Sequence, residues 1–314
     1  MYFGSVKFFK HLIAIVILLL IALSITYVVI LSKDNEKLKE EIVQISERTM
    51  PVSSPEDSPL NNAATAANDE AEEDENEPPP KEVGLYGHLY PDLYATSFGS
   101  NEEIEYVDDS DYIYLTFDDG PSANTITILN YLRDYGVKAT FFVVPNEGHL
   151  YLLDRIVNEG HAIGVHSNTH NYQKIYASVE AFLEDFNAIR TLIYEQTGVL
   201  TDIYRFPGGS INSYNKEIRE DIIEEMSRRG FVYFDWNIDS GDWRGYDWET
   251  MYYGVREDVE NIVTSGKRPI VLFHDAPGAR YTTWVIGDLI DDFLKNPRGY
   301  RFGTLSPNVK PVQW

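Results

Sequence analysis

The chain has 314 residues and carries 26 Lys and Arg against 50 Asp and Glu, a formal net charge of −24. This acidic balance excludes nucleic acid as a partner, because phosphate backbones are bound by basic surfaces. The sequence contains no cysteine, so disulfides and thiolate metal sites are excluded, and any metal must be held by histidine and carboxylate.

The N-terminal region contains one long apolar run. Residues 12–31 hold no charge, glycine or proline, and twenty such residues can cross a bilayer as a helix. Lys7 and Lys10 precede the run, which predicts that residues 1–11 stay in the cytoplasm and the rest lies outside the cell. The alternative is a cleaved signal peptide, which has a shorter apolar core and a cleavage site formed by small residues. The only such exit, at residues 22–24, lies deep inside the run, so the sequence favours an uncleaved single-pass anchor in the cell membrane.

Two segments separate this anchor from the globular part of the chain. Residues 32–49 have apolar side chains at heptad-like spacing and are predicted to form a short helical stalk. Residues 50–83 carry ten acids and one base among Pro, Ser, Asn and Ala, with almost no large apolar side chain. Such a composition cannot bury a core and repels itself, so we expect a disordered, extended acidic linker.

Residues 84–314 are predicted to form one globular domain that begins with an aromatic lead-in. After Asp111, strand-like and helix-like patterns alternate. The strand candidates are residues 112–118, 137–144, 162–166, 202–206, 231–237, 269–274 and 300–305. The helix candidates are residues 123–135, 150–158, 178–196, 216–229, 249–264 and 283–295. This alternation predicts an α/β fold with a parallel sheet and outer helices, and seven strands suit a distorted or incomplete (β/α)7 barrel.

Polar residues recur where these strands end. Asp118 and Asp119 follow a strand that is apolar on both faces and stops at a Gly-Pro pair. Two adjacent carboxylates at such a place are costly unless a cation shares their charge. Other polar residues at or just after strand ends are His166, Arg205, Asp239, Asp242 and His274. Because the carboxyl ends of barrel strands converge on one face, we expect these groups to form a single site.

Two of the histidines have a spacing that can hold a metal. His166 and His170 are four residues apart, which places both imidazoles on one face of a predicted helical turn. One added aspartate gives a His2Asp set with a position open for water, which is the pattern of catalytic zinc. The sequence has no His-Glu-x-x-His motif, so a common type of zinc protease lacks its signature here.

Five motifs in order give the sequence a specific resemblance. They are TFDDGP at 116–121, HSNTH at 166–170, RFPGG at 205–209, DSGDW at 239–243 and LFH at 272–274. Together they resemble the motifs of the polysaccharide deacetylases, carbohydrate esterase family 4, also called the NodB homology domain. The resemblance covers roughly residues 111 to 305, and it makes residues 84–314 the catalytic domain.

The resemblance implies a metal centre and a base beside it. Asp119, His166 and His170 correspond to the family's metal ligands, and one divalent ion, zinc first, is the expected cofactor. Asp118 corresponds to the general base that takes a proton from the attacking water. Arg205 corresponds to the residue that pairs with this base and keeps it ionised and oriented.

The resemblance also assigns the remaining catalytic and substrate-binding positions. The backbone N–H at Gly208 corresponds to the donor that stabilises the oxyanion. His274 corresponds to the general acid that protonates the leaving nitrogen, and Asp242 to the carboxylate that orients it and raises its pKa. Trp243 and Leu272 correspond to the wall of a small pocket for the acetyl methyl group.

One position departs from the family pattern. The family often has an aromatic residue where Gly208 stands, and its side chain helps to wall the site. A backbone donor survives the change to glycine. We therefore expect the groove to be more open at this position and its loop to be less rigid.

The sequence therefore predicts a membrane-anchored, extracellular zinc-dependent deacetylase of N-acetylated glycans. The topology and the resemblance favour N-acetylglucosamine in a cell-wall polymer such as peptidoglycan. An O-acetyl esterase on xylan-type polysaccharide is the nearest alternative within the family. A catalytically silent, anchored glycan-binding domain and a zinc peptidase are alternatives from other classes. The first predicts the loss of a ligand or of the base, and the second predicts a glutamate between the histidines, where Asn168 and Thr169 stand.

Overall fold

The computed structural model describes residues 84–96, 105–109 and 111–314. Within these ranges, no helix combines the length and the apolarity needed to cross a membrane. The anchor, stalk and linker predicted for residues 1–83 lie outside the described residues.

Strands and helices alternate along the described part of the chain. The strands are β1 (Tyr112–Gly120), β2 (Thr140–Val143), β3 (Ala162–Val165), β4 (Ile203–Tyr204), β5 (Val232–Tyr233), β6 (Ile238–Asp239), β7 (Ile270–His274) and β8 (Arg301–Phe302). The helices are α1 (Ala123–Tyr135), α2 (Tyr151–Asn158), α3 (Tyr172–Ile175), α4 (Val179–Thr197), α5 (Arg219–Arg228), α6 (Trp248–Thr264) and α7 (Arg280–Lys295). A single 3₁₀ turn covers Asp242–Arg244.

The strands form a parallel half-barrel, which agrees with the predicted incomplete barrel. Their order is β5-β4-β3-β2-β1-β7-β6, and every ladder between neighbours is parallel. No ladder joins β5 to β6 among the described residues, so the ring stays open there. The central strand β1 is buried along most of its length, and its apolar side chains pack on both faces as expected.

The structure corrects two of the predicted strands. The run 231–237 forms only the two-residue strand β5 and a loop, and β6 is a separate short strand that the sequence analysis missed. The last predicted strand shortens to β8, which pairs with the first residues of β1 and not with the end of the barrel order. Short ladders of two residues carry too little pattern to be located from sequence alone.

The buried Arg229 holds most of the lead-in segment, residues 84–96, to the domain, and Arg190 and Asp202 bond its last residues. The guanidinium of Arg229 donates hydrogen bonds of 2.8–3.0 Å to the carbonyl oxygens of Tyr86, Leu89, Tyr90 and Leu93. The backbone N–H of Ala95 donates to the Arg229 carbonyl at 2.8 Å. Because a buried guanidinium needs several acceptors, this arrangement both satisfies the charge and fixes the segment.

Candidate active site

The carboxyl ends of β1 and β7 form the floor of the site. Asp118 on β1 and His274 on β7 are paired in register across the parallel ladder. They face a cavity of about 590 Å³ at this edge of the sheet. The convergence expected from the β–α alternation is therefore present.

Nine of the ten residues predicted for the site line this cavity. They are Asp118, Asp119, His166, His170, Gly208, Asp242, Trp243, Leu272 and His274. The tenth, Arg205, is fully buried and reaches the site through Asp118. The five sequence motifs, which are scattered over 160 residues, are thus brought to one place.

Asp119, His166 and His170 form a compact cluster suited to one metal ion. One carboxylate oxygen of Asp119 lies 3.2 Å from Nε2 of His166 and 3.0 Å from Nε2 of His170. One ligand atom from each residue lies within 4.8 Å of the other two. Two imidazoles and a carboxylate leave room for water in a tetrahedral shell, as in catalytic zinc sites.

The hydrogen bonds around this cluster fit a metal. Nδ1 of His166 lies 3.0 Å from the Arg205 carbonyl oxygen, which can only accept, so Nδ1 carries the proton and Nε2 presents a lone pair. Oδ1 of Asp119 is buried and accepts no hydrogen bond from the described residues. A lone pair that faces an unpartnered carboxylate oxygen at this distance calls for a cation between them. The residues present therefore fit the metal that the sequence predicts.

Local backbone conformation directs two of these ligands. Asp119 has φ of 71° and His170 has φ of 48°, both in the left-handed region. Non-glycine residues adopt this region uncommonly, with Asp and His among the more tolerant types. Such conformations persist only where the surrounding contacts hold them.

The segment from His166 to His170 is a loop, which corrects the predicted helical turn. Asp185 on α4 accepts hydrogen bonds from the backbone N–H groups of Asn168 and Thr169 at 2.8 and 2.9 Å. It also accepts from the Ser167 hydroxyl at 2.7 Å. The buried carboxylate thus replaces the bonds that a helix would make. The four-residue spacing correctly predicted that the two imidazoles lie together, but the backbone between them is a loop and not a helical turn.

Arg205 and Asp118 form a buried ion pair at the centre of the half-barrel. Nη1 of Arg205 lies 2.9 Å from Oδ1 of Asp118 and donates to the Thr116 hydroxyl at 2.7 Å. The guanidinium also donates to the carbonyl oxygens of Phe234 and Asp235 at 2.8 and 3.2 Å. Because four of its five N–H donors are bonded to surrounding groups, the guanidinium is fixed and holds the Asp118 carboxylate in one orientation.

His274 and Asp242 form a second pair at the cavity, with His274 on the strand next to that of Asp118. Nδ1 of His274 lies 2.8 Å from Oδ1 of Asp242. Oδ2 of Asp242 accepts hydrogen bonds of 2.6 Å from the backbone N–H of His274 and from the Thr282 hydroxyl. Burial opposes the charged imidazole, but Asp242 outweighs it and raises the pKa of His274 to about 9, with Asp118 adding to the effect. His274 is therefore protonated at neutral pH and can donate a proton through Nε2.

The expected opening at Gly208 does not occur. Gly208 has φ of 77°, and a Cβ placed on it would stand 3.1 Å from the Tyr172 hydroxyl. The turn at Pro207 is braced by the Tyr176 hydroxyl, which donates to the Pro207 carbonyl at 2.8 Å, and by the Asn212 side chain. Tyr172 therefore fills the space beside the glycine, and the loop is well supported. The sequence analysis missed this because Tyr172 lies in a different motif region.

Sequence reasoning also missed Asp275, whose backbone contacts that of Asp118. Its backbone N–H donates to the Asp118 carbonyl at 3.0 Å, and its carboxyl accepts from the Thr125 hydroxyl. Burial raises the pKa of Asp275 to about 7. The carboxyl occupies the place of a side chain at Gly120, where an added Cβ would lie 2.0 Å from it. The sequence signal for this close contact is Gly120, the glycine that follows the two aspartates.

The aromatic residues near the site separate into lining and non-lining groups. Trp236 and Trp243 line the cavity, and Trp243 is 60% exposed at its rim. Trp248 instead stacks on Tyr252 and donates to Asp288, which ties α6 to α7. Asp239, left without a role by the sequence, accepts from the Gly241 N–H and lines the cavity.

The chain is similar to known polysaccharide deacetylases. The family profile described as polysaccharide deacetylase matches residues 106–229. YheN of Bacillus subtilis, provisionally named as a polysaccharide deacetylase, is 36% identical over 64% of this chain and 69% of its own. A peptidoglycan-N-acetylglucosamine deacetylase of Bacillus cereus is 30% identical over 71% of this chain and 96% of its own. The crystal structure of the catalytic domain of peptidoglycan N-acetylglucosamine deacetylase from Eubacterium rectale superposes with a TM-score of 0.62, at 32% identity, over 68% of this chain and 96% of that one.

These similarities support a hydrolase of the deacetylase type. The chain belongs to the polysaccharide deacetylase family, carbohydrate esterase family 4. The family resemblance stated from the five motifs is confirmed.

Proposed function

We propose that the protein removes N-acetyl groups from N-acetylglucosamine residues of a cell-wall polysaccharide, first of all peptidoglycan, and releases acetate. The observation that carries the proposal is the composition of one cavity, which brings together a His2Asp cluster, an Asp–Arg pair and a His–Asp pair. The similarity to relatives named for peptidoglycan N-acetylglucosamine supports the choice of substrate.

The proposed cofactor is one zinc ion held by Asp119, His166 and His170. When bound, zinc supplies Lewis acidity, which lowers the pKa of water and polarises a carbonyl group. The three side chains offer two imidazole nitrogens and one carboxylate oxygen, and the Arg205 carbonyl fixes the His166 ring. Asp119 and His170 depend on their left-handed backbone conformations to face the same point.

Asp118 is proposed as the general base. Its carboxylate lies at the cavity wall, and Arg205 holds one oxygen at 2.9 Å. The guanidinium holds this carboxylate in an orientation in which it can accept the proton of the attacking water. The Gly208 N–H is the proposed donor to the oxygen of the acetyl group as negative charge develops there.

His274 is proposed as the general acid. As the C–N bond of the amide breaks, the nitrogen leaves poorly unless it gains a proton, and His274 supplies that proton from Nε2. Asp242 keeps the imidazole charged and oriented through Nδ1. Trp243 and Leu272 are proposed to enclose the acetyl methyl group, since both contribute to the cavity wall.

The proposed location is outside the cell, with the chain held in the membrane by residues 12–31. The support for this is the uncharged apolar run and the two lysines that precede it. Deletion of residues 1–83 should give a soluble, active protein in fractionation and acetate assays. A truncated chain that does not fold would contradict the domain boundary at residue 84.

The decisive experiment measures acetate release by the purified full-length protein. The substrates are N-acetylglucosamine oligomers, purified peptidoglycan and acetylxylan, each with chelator and again after zinc is restored. Release from the amino sugars that chelator stops and zinc restores is the expected result. Release from acetylxylan alone would support a hydrolase but would show that its substrate is an O-acetyl ester.

Two variants and a control test the residue roles. Asp118→Asn should lower the rate about 1,000-fold while zinc content, measured by metal analysis, stays at one ion per chain. His166→Ala should lose the zinc as well as the activity. Asp134→Asn, on the exposed face of α1, removes the same carboxylate chemistry far from the cavity and should change neither quantity.

A further inference from the structure

The short helix α3 lies against the turn that carries Gly208. Tyr176, at the end of the helix, donates its hydroxyl to the Pro207 carbonyl at 2.8 Å. Tyr172, at its start, places its hydroxyl 3.1 Å from the position of a Cβ on Gly208. The two tyrosines therefore hold the turn from one side, and only Tyr172 extends into the cavity.

The ring of Tyr172 is fixed by aromatic neighbours. Its centroid lies 5.5 Å from that of His170 and 5.3 Å from that of Tyr214, both at steep interplanar angles, and 6.2 Å from that of Tyr176. Edge-to-face contacts of this kind restrict a ring without using its polar group. The ring orientation is thus set by packing, and the hydroxyl is left available.

The hydroxyl itself has no hydrogen-bond partner within the described ranges, although the side chain is half-buried at the cavity wall. A tyrosine hydroxyl in such a place usually finds a partner. The same wall carries the Gly208 turn and the His2Asp cluster. A ligand in the cavity is the group that can complete this bond.

We propose that the Tyr172 hydroxyl donates a hydrogen bond to the acetyl oxygen of the bound substrate, beside the backbone N–H of Gly208. This inference rests on the proposed deacetylase function. When water attacks the acetyl carbon, the carbonyl oxygen gains negative charge, and fixed donors next to it stabilise the transition state more than the bound substrate. Tyr172 is then a catalytic residue that the five motifs do not include.

Tyr172 occupies the space that a side chain at position 208 would need, so the two positions suit each other only if 208 is glycine. Any side chain at 208 would meet the Tyr172 hydroxyl at 3.1 Å and its ring at 3.2 and 3.3 Å. Contacts this short would push the phenol away from the turn by a few tenths of an ångström. The glycine therefore gives the hydroxyl access to the same small region as the backbone donor.

The test compares the zinc-loaded full-length protein with its Tyr172→Phe variant on N-acetylglucosamine oligomers. The variant keeps the ring and loses one oxygen, so we expect kcat to fall about 100-fold while KM changes less than about twofold. Zinc content and melting temperature should match those of the unaltered protein. Tyr214→Phe is the matched control, because its ring packs on Tyr172 and its side chain is 51% exposed, and its kcat should stay within about twofold.

A second measurement does not depend on turnover. A phosphonamidate analogue of the N-acetyl group mimics the charged tetrahedral carbon, and its affinity should fall at least about 10-fold in Tyr172→Phe. The affinity for the deacetylated product, which has no acetyl oxygen, should stay the same. Equal loss for both ligands would indicate a general change in the cavity and would overturn the proposal.

The outcomes separate this proposal from the function on which it rests. If the unaltered protein releases acetate and Tyr172→Phe does so at the same kcat, the hydroxyl has no part in the reaction and only this inference is wrong. A rise in KM without a fall in kcat would assign the hydroxyl to sugar binding and would also overturn it. An unaltered protein that releases no acetate from any substrate overturns the deacetylase function, and this inference falls with it.

Discussion

Arg205 and Arg229, the two arginines with completely buried side chains in the described part of the chain, invite a direct comparison. Both form an ion pair with a carboxylate, Asp118 or Glu225, and both donate to backbone carbonyl oxygens. Burying a guanidinium is unfavourable unless its donors are used, and each side chain meets that condition. By burial and charge alone the two cannot be distinguished.

They differ in what the rest of the network contacts. The partner of Arg205 lines the cavity beside the His2Asp cluster. Arg229 donates to four carbonyls of the lead-in segment, and its carboxylate partner, Glu225, is shared with Arg228. A buried arginine thus indicates function only when the charge that it stabilises is open to a ligand. Exchange of each arginine for methionine, which is similar in length and apolar, tests this distinction.

The largest effect is expected for Arg205→Met. Without the guanidinium, the buried Asp118 carboxylate loses its paired charge and the contact that orients it, so it should accept the proton of water less effectively. We expect kcat/KM to fall between about 100- and 10,000-fold. The free energy of unfolding should fall by about 3–5 kcal/mol, because one half of a buried pair remains. Acetate assays and urea denaturation measure the two losses, and a variant with nearly normal kcat/KM would contradict the proposed role of the pair.

Arg229→Met should lose stability without losing chemistry. Four carbonyl oxygens of the lead-in segment lose their donor, while Glu225 keeps Arg228 as a partner at 2.7 Å. We expect the free energy of unfolding to fall by about 3 kcal/mol. Limited proteolysis within residues 84–96 should become faster, and kcat/KM of the folded protein should stay within about twofold. A loss of rate as large as that of Arg205→Met would remove the distinction between the two arginines.

The active site was largely predictable because its residues follow a rule of the fold. Asp118 and His274 come at the ends of two strands, and parallel neighbours place such ends together. The residues that support the site were not predictable in this way. Asp185 on α4 contacts the loop from His166 to His170, and Tyr172 contacts the Gly208 turn, through contacts between distant positions that leave no local pattern.

The same reason explains the errors in the fold. His166 and His170 have helical spacing, but the Ser167 hydroxyl and Asp185 take the backbone N–H groups of the loop. Arg229 has the sequence context of a helix end, and nothing near it in sequence indicates that its donors reach residues 86–93. Periodicity located the long elements, and long-range hydrogen bonds decided the loops.

The pH dependence of kcat/KM should report on His274, next to Asp118 in the sheet. His274 must be protonated to act as the acid, so kcat/KM should be lost as the pH rises through its pKa of about 9. Asp242→Asn removes the charge that raises this pKa. The basic limb of the profile should then move to lower pH by more than about one unit, with about a 10-fold loss of rate at neutral pH. Arg229→Met should leave the limb in place, and an unmoved limb in Asp242→Asn would show that another group sets it.

The smallest effect is expected for Thr116→Val, which alters the Arg205 network at its edge. The Thr116 hydroxyl accepts from Arg205 and donates to the Val271 carbonyl, both at 2.7 Å. Valine has nearly the same shape, and the Arg205–Asp118 contact at 2.9 Å remains. We expect a loss of about 1–2 kcal/mol in the free energy of unfolding, and kcat/KM lower by no more than about fivefold.

The matched control is Thr140→Val on the neighbouring strand. Thr140 is paired in register with Thr116, is equally buried, and accepts from the Leu305 N–H at 2.8 Å without contacting Arg205. It should lose a similar amount of stability and no rate. If Thr116→Val instead loses rate as severely as Arg205→Met, the orientation of the base depends on the whole hydrogen-bond network around Arg205. If it loses none, the single contact with Asp118 is sufficient, because that contact alone then keeps the carboxylate in position.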